Sequence, residues 1–446
     1  MITPKRDNSA GEVDLGLRNF IKNLAYMTGG AAFLASTAPW LASCTTEKLE
    51  EVRKQKARIA LIGSGSRGQY HIHNLLNIPH AELAAICDPY KTNREAALEL
   101  CPTAKGVDDY RKVLDDPDID GVIIATPLNL HARITLDSMA AGKHVFCEKA
   151  MALTMDQCKA VYDKYRDSDR VLFYCMQRMY DEKYVKAFQM IRTGLIGDIV
   201  GMRCHWFRNA DWRREVPSPE LERLINWRLY RENSAGLMTE LGSHQLEVCT
   251  LVADKMPTRV AGFGDIVYWK DGREVYDTVS LTYQFGDGRN IVYESLISNK
   301  FNGMEEQILG KAGTVDLSKG VYYLEEDDLV FGVRQLLTQV RDGVFAAVPT
   351  AGPSWRPELR DKYVPHAILK QASGAATGQN MIGEQNDGSD IILEAFCQSC
   401  ITGERARNVV EECYSATILC LMGNQAMDEK RVVSLPEEYI IPYMKF

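Results

Sequence analysis

Five short runs of almost unbroken apolar residues, at 58–62, 81–87, 119–125, 144–147 and 170–175, alternate with stretches of helical periodicity. A run that is apolar at every position predicts a strand buried on both faces. Its regular alternation with helices predicts a doubly wound parallel sheet. Thr154-x-x-Gln157 is a capping-box pattern that opens a helix running to about Ser168. After Tyr180 the texture changes. A helix over 182–193 is followed by alternating runs at 198–207, 258–269, 276–285 and 290–297, which predict a largely antiparallel sheet with one covered face. The stretch Asp211 to Arg231 is irregular and rich in arginine and tryptophan. Residues 347–389, with Pro349, Pro353, Pro357 and Asn386-Asp387-Gly388, read as a long loop or insertion. A closing helical pair, about 390–402 and 405–426, is expected to return onto the first domain.

Length and composition add limits to this α/β pattern. A chain of 446 residues exceeds one ordinary core, so two domains are expected, 58–178 and 179–446, behind a leader over 1–44 and a charged tether over 45–57. The hydrophobic share of 46% and charged share of 25% are those of a globular chain, and a net charge of −8 argues against nucleic acid. Beyond the leader, no segment has the ~18 uninterrupted apolar residues of a membrane helix. In the leader, Leu17-Arg18-Asn19-Phe20-Ile21-Lys22 resembles a twin-arginine export signal with leucine at the first arginine. Leu41-Ala42-Ser43-Cys44 resembles a lipobox, which makes Cys44 the expected lipid anchor of an exported protein. The plainer readings are an amphipathic or disordered N-terminus and a cytoplasmic protein. Most of the 12 cysteines sit in apolar runs, as Cys87, Cys147, Cys175 and Cys249 do, and read as small core residues. Cys397-x-x-Cys400 lies in a helical pattern with no second CxxC or nearby histidine, so no metal is expected there.

The first apolar run ends in Gly63-x-Gly65-x-x-Gly68 and leads into a helix. Gly63 suits a tight turn, Gly65 a close approach to a pyrophosphate, and Gly68 a helix packed closely on the sheet. Ser66 and Arg67 lie between them, at a helix N-terminus whose free N–H groups favour an anion. Asp88 ends the second run, twenty residues beyond Gly68, where it can accept from the adenosine ribose hydroxyls. A carboxylate there repels a 2′-phosphate and favours NAD, while nearby Lys91 keeps NADP open. Glycine-rich turns also serve simply as turns, and it is the pairing with Asp88 that points to a dinucleotide.

Three further clusters carry a resemblance. Thr126-Pro127-Leu128-Asn129-Leu130-His131 follows the third run, Glu148-Lys149 ends the fourth, and Glu240-Leu241-Gly242-Ser243-His244-Gln245-Leu246-Glu247 opens a helix in the second domain. In order and spacing they resemble the Gfo/Idh/MocA oxidoreductases from about residue 57 onward. Two departures stand out: Ala150 where the family has proline after the Glu-Lys pair, and Glu240 and Glu247 where it has aspartates. The resemblance implies an N-terminal Rossmann domain and a C-terminal α/β domain with a large, open, mainly antiparallel sheet. It also implies a sugar-sized substrate between nicotinamide and sheet.

On that reading Gly63, Gly65, Ser66, Arg67, Gly68, Asp88, Thr126, Pro127, Asn129, His131, Glu148 and Lys149 hold the cofactor. Arg178, Trp227, Arg228, Glu240 and Glu247 meet the substrate. Lys149, His244 and Glu148 carry the chemistry: His244, with an ordinary pKa of about 6.5, as base, Lys149 as stabiliser of a developing alkoxide, Glu148 as orienter of the lysine or ribose. Each has a plainer reading: His131 as a polar group at a helix start, His244 as a satisfied structural histidine, and the tryptophans as core. Glu240, His244 and Glu247 nevertheless fall on one helical face. The expected activity is NAD-dependent oxidation or reduction of a carbohydrate or glycoside hydroxyl, for an exported enzyme at C3. An NAD-dependent glycosidase with transient oxidation and a non-catalytic sugar-binding lipoprotein are the alternatives. A homo-oligomer formed through the open sheet is expected.

Overall fold

The computed structural model describes residues 55–325, 379–380, 387–406 and 408–442. The leader with Cys44, most of the tether and most of the 347–389 insertion lie outside the described residues.

Strands β1 (Ala57–Ile62), β2 (Ala81–Cys87), β3 (Lys105–Val107), β4 (Gly121–Ile124), β5 (His144–Cys147) and β6 (Leu172–Tyr174) form a six-stranded sheet in the order β3-β2-β1-β4-β5-β6. All its pairings are parallel. Helices α1 (Ser66–Leu75), α2 (Lys91–Leu100), α3 (Tyr110–Leu114), α4 (Leu128–Ala140) and α5 (Met155–Arg166) connect the strands. β4 and β5 are buried at every position, as the unbroken apolar runs require. Strand order reverses between β1 and β4, and a doubly wound sheet opens its ligand crevice at the carboxyl ends of the strands there. The expected cap forms on α5: the Thr154 hydroxyl accepts from the Gln157 N–H at 3.2 Å, and Gln157 Oε1 accepts from the Leu153 N–H. Lys105-Gly106-Val107 was too short to show a period in the sequence, yet it makes the edge strand β3.

The second domain begins with α6 (Glu182–Arg192), whose N-cap Asp181 accepts from the Lys183 N–H. Its sheet contains β7 (Ile199–Phe207), β8 (Arg259–Asp265), β9 (Thr278–Gln284), β10 (Asn290–Leu296), β11 (Met304–Gly310), β12 (Gly313–Asp316), β13 (Val321–Leu324), β14 (Gln379–Asn380) and β15 (Val433–Ser434). These nine strands run in the order β14-β13-β12-β11-β7-β10-β9-β8-β15. β7 and β10 are parallel and the other neighbours antiparallel. β9 and β10 alternate buried and open positions, giving one covered face. β11 has no apolar alternation because Glu306 fills an inward slot that Met304 and Ile308 flank. A π-helical turn, Met238–Gly242, leads into α7 (Ser243–Ala253).

The closing pair is α8 (Ser389–Thr402) and α9 (Val409–Glu429). α8 packs on α1, β1 and β5, as expected of a return to the first domain. α9 differs: it touches α5 and β6 on one side and α7 and β8 on the other. The eleven described cysteines are all free thiols, ten of them buried.

Candidate active site

The glycine-rich turn divides its labour among three positions. Gly63 has φ +92°, and a Cβ there would lie 2.6 Å from the Ala125 carbonyl oxygen. A Cβ on Gly68 would lie 2.1 Å from the Gly63 oxygen, so α1 could not sit down on β1. At Gly65 the nearest atom is 4.0 Å away, so the space beside this backbone is open. α1 begins at Ser66 with no side-chain cap and no acidic residue in its first turn, leaving its N–H groups to an incoming anion. These residues fit the pyrophosphate of a dinucleotide. Gly65→Ala is therefore expected to melt like the parent while losing dinucleotide affinity at least about tenfold, because its methyl projects into the ligand's space rather than the protein's. Equal affinity for the two proteins in a titration would refute that assignment.

Asp88 is buried at the end of β2. Its Oδ2 accepts from the Ser64 N–H at 2.9 Å and from the Ser64 hydroxyl at 3.2 Å, and Oδ1 accepts from the Tyr90 N–H at 2.8 Å. The Asn93 amide also donates to Oδ2 at 3.4 Å, so four donors fix the carboxylate against the turn.

The ends of β4 and β5 supply the next group. Pro127 caps α4, and the Asn129 amide donates to Asn233 Oδ1 at 2.8 Å, joining the two domains. His131 is buried, with Nδ1 at 2.8 Å from the Ala150 oxygen and Nε2 at 3.0 Å from the Thr126 oxygen. Burial holds its pKa below the ordinary value. A neutral ring has one N–H, so His131 staples the two cleft-lining loops by one hydrogen bond and one close contact. The plainer reading of His131 accounts for these contacts. Glu148 does not orient Lys149. Its Oε1 accepts instead from Arg67 Nε at 2.6 Å and lies 2.7 Å from His71 Nε2, both on α1. Burial pushes this carboxyl upward, but the Arg67 guanidinium and the His71 contact outweigh it and hold it well below the carboxylate range. His71, Glu148 and Cys175 converge in a metal-like cluster. Arg67 also donates to Cys175 Sγ at 3.2 Å, so the positive charge such a cluster attracts is already a guanidinium.

Lys149 Nζ donates to the Glu240 carbonyl at 2.9 Å and to the Thr239 carbonyl at 3.3 Å. Both acceptors lie in the π-helical turn, whose altered ladder leaves carbonyls available to a side chain. The Glu240 carboxylate accepts from Arg228 Nε at 2.8 Å. Burial raises its pKa, but Arg228 and Lys149 together bring it below the ordinary value. The Arg228 guanidinium lies 4.3 Å from the Trp227 ring centroid, so one face of that indole is already covered. His244 is buried, and its Nδ1 has no hydrogen-bond partner. Burial, then the charges of Lys149 and Arg178, push its pKa well below 6.5. The imidazole is thus neutral across the physiological range rather than poised near neutrality.

Arg67, Thr126, Glu148, Lys149, Gln177, Trp227, Arg228, Glu240 and His244 line one cavity of about 220 Å³, with His131, Ala125 and Leu128 completing its wall. Two residues expected in the cleft are not there. Arg178 is buried behind it, 2.5 Å from Glu306 on β11, with the Tyr184 hydroxyl donating to the other Glu306 oxygen. Glu247 is fully buried beside this pair with neither carboxylate oxygen bonded, and burial raises its pKa to about 8. It shares a helical face with His244 but lies one turn deeper, below the cavity floor. Gln177 and His71 were missed. Gln177 stands next to Arg178 in the sequence, and His71 lies four residues after Arg67, the spacing that puts two side chains on one helix face.

Comparison with known proteins agrees with this geometry. A family model described as oxidoreductase family, NAD-binding Rossmann fold, matches residues 57–175, and the GFO/IDH/MocA C-terminal domain matches residues 184–316. The scyllo-inositol 2-dehydrogenase (NAD(+)) of Bacillus subtilis is 27% identical over 267 residues, which is 59% of this chain and 74% of that protein. The alpha-N-acetylgalactosaminidase of Shewanella oneidensis is 28% identical over 187 residues, covering 40% of each. Levoglucosan dehydrogenase, solved in complex with NADH and levoglucosan, shares the fold with a TM-score of 0.65. It is 19% identical and covers 86% of this chain and 100% of that one. With both of its characteristic domains matched in order, the chain belongs to the Gfo/Idh/MocA family of oxidoreductases.

Proposed function

We propose that the protein is an NAD-dependent oxidoreductase acting on a secondary hydroxyl of a carbohydrate, polyol or glycoside. The observation that carries this reading is the convergence of Lys149, Glu240 and His244 on one cavity at the switch point of the dinucleotide-binding sheet. Most of its lining side chains bear hydrogen-bonding groups, which suits a polyhydroxylated ligand better than an apolar one. NAD held by the Gly63–Gly68 turn and Asp88 would supply the acceptor for the hydride of a CH–OH carbon. The accompanying proton, lost from oxygen, falls to the chain's own side chains. Lys149, anchored by two carbonyls, places a positive charge beside the developing alkoxide. His244 is neutral and takes the proton. Burial, Lys149 and Arg178 make the resulting imidazolium costly, while Glu148 offsets part of that cost. The acidic limb of kcat/KM is accordingly expected below pH 6.5, the ordinary histidine value.

The finer reading is oxidation of a glycoside at C3 by an exported enzyme that retains its cofactor. Its support is the leader sequence with Cys44. A glycoside panel assayed at 340 nm, with the product carbon located by borodeuteride trapping, tests the substrate reading. Oxidation confined to free polyols would refute the C3 assignment. Cys44→Ser is expected to abolish lipid labelling and release the protein from the membrane fraction, and an unprocessed soluble parent chain would refute export. The glycosidase similarity favours one second reading, transient oxidation with net hydrolysis, which free aglycone without net keto-sugar would reveal.

A further inference from the structure

We infer that Arg214, a residue of the second domain, is a ligand of the dinucleotide pyrophosphate and straps the cofactor into the Rossmann domain. Its Nη2 donates to the Ser66 hydroxyl at 3.1 Å. Ser66 is the first residue of α1, directly after Gly65, whose surroundings are open. The guanidinium therefore stands at the uncapped helix end where the diphosphate belongs.

The backbone of Arg214 is fixed for this task. Its N–H donates to Asn226 Oδ1 at 2.7 Å, and its carbonyl accepts from Asn226 Nδ2 at 2.9 Å. Asn226 is 2% exposed and also bonds Glu222 at 3.0 Å, so a buried amide holds an otherwise irregular segment in register. The adjacent arginine has a different role. Arg213 is spent on Glu222 at 2.5 Å and Asp271 at 3.1 Å, both within its own domain. Among the described residues no carboxylate pairs with Arg214, whose contact is a neutral hydroxyl. A guanidinium has five N–H donors and meets phosphate oxygens in a fork, so most of its capacity is unspent at Ser66. Two phosphate charges at a helix N-terminus that lacks any acidic side chain complete the electrostatic match.

The inference rests on dinucleotide binding, not on the sugar chemistry, and stands if the substrate reading fails. The test compares parent, Arg214→Ala and Arg214→Lys, stripped of nucleotide and titrated with NAD, ADP-ribose and adenosine, with occupancy after gel filtration of the unstripped proteins as a second readout. Arg214→Ala is expected to weaken NAD and ADP-ribose together by about ten- to a hundredfold, the loss of one charge-assisted hydrogen bond to phosphate, and to leave adenosine within twofold. Arg214→Lys should fall between, and the alanine variant should lose NAD on the column. The side chain is exposed, so all three proteins should melt alike. NAD and ADP-ribose constants within threefold of the parent would overturn the inference. So would an equal loss for adenosine, which would trace the effect to the fold of the turn rather than to the diphosphate.

Discussion

Lys149→Ala is expected to lower kcat by about a hundred- to a thousandfold while the protein still carries its dinucleotide. That is the range lost when one preorganised donor to a developing oxyanion is removed. Two carbonyls of the π-helical turn hold the ammonium, at 2.9 and 3.3 Å, and neither Glu148 nor Glu240 pairs with it through its carboxylate. Its charge is thus fixed in place but not neutralised by a direct ion pair. The same charge helps depress the pKa of His244, so removing it has a second, separable effect. The acidic limb of the residual activity should move up in pH toward 6.5, because imidazolium becomes cheaper when the neighbouring cation is gone. Combined with His244→Ala, the losses should be less than additive, since both residues serve one proton transfer. A kcat near that of the parent with only KM raised would show that Lys149 merely binds sugar. An unmoved acidic limb would assign that limb to a group other than His244.

Arg178→Ala should destabilise the fold by about 3–5 kcal/mol, the usual cost of leaving a buried ion pair half-complete. Arg178 and Glu306 are both buried, 2.5 Å apart, and the guanidinium also lies near the Tyr184 and Trp206 rings, at 5.3 and 5.6 Å. Its removal strands Glu306 in a low-dielectric interior and takes away the cation nearest Glu247. Arg178→Met with Glu306→Gln should recover much of the loss, because both charges then leave together. Denaturant midpoints at constant slope measure this, and a loss below about 1 kcal/mol would refute a buried structural pair. Glu247 gives the same region a pH signature. Unfolded, it titrates near 4.5, and folded near 8, so between those values the native state keeps a proton that the unfolded state has released. Stability should therefore fall as pH rises through this window, at about 1.4 kcal/mol per unit from this group. Glu247→Gln should remove that slope, and an identical pH profile for parent and variant would contradict it.

Much of this architecture was legible in the sequence because single positions had to satisfy steric demands. Gly63 and Gly68 cannot carry a side chain without striking backbone, and Gly65 can, so the spacing encodes both a fold and a ligand. The runs that became β1, β2, β4 and β5 are mostly apolar because these strands are covered on both faces over most of their length, with Arg58 and Glu82 at the open starts of β1 and β2. β11 was hidden for the opposite reason. Its inward Glu306 is made tolerable only by Arg178 and Tyr184, from segments far away in the chain. Burial set by such long-range pairing leaves no local period. The same pairing drew Arg178 away from the cleft, where its neighbour Gln177 remains. His244 and Glu247 stand three residues apart on α7, yet only His244 lines the cavity, because periodicity gives angle and not depth.

The helix α9 binds both walls of the cleft at once. Its Thr417 hydroxyl accepts from the Met151 N–H at 2.9 Å, two residues past Lys149, and its Cys420 thiol donates to the Met238 carbonyl at 2.9 Å, two residues before Glu240. A single rigid rod therefore gauges the gap across which Lys149 meets the π-helical turn. The domains cannot swing apart like a clamshell without breaking both of these bonds. The two halves of the enzyme should therefore unfold as one cooperative body.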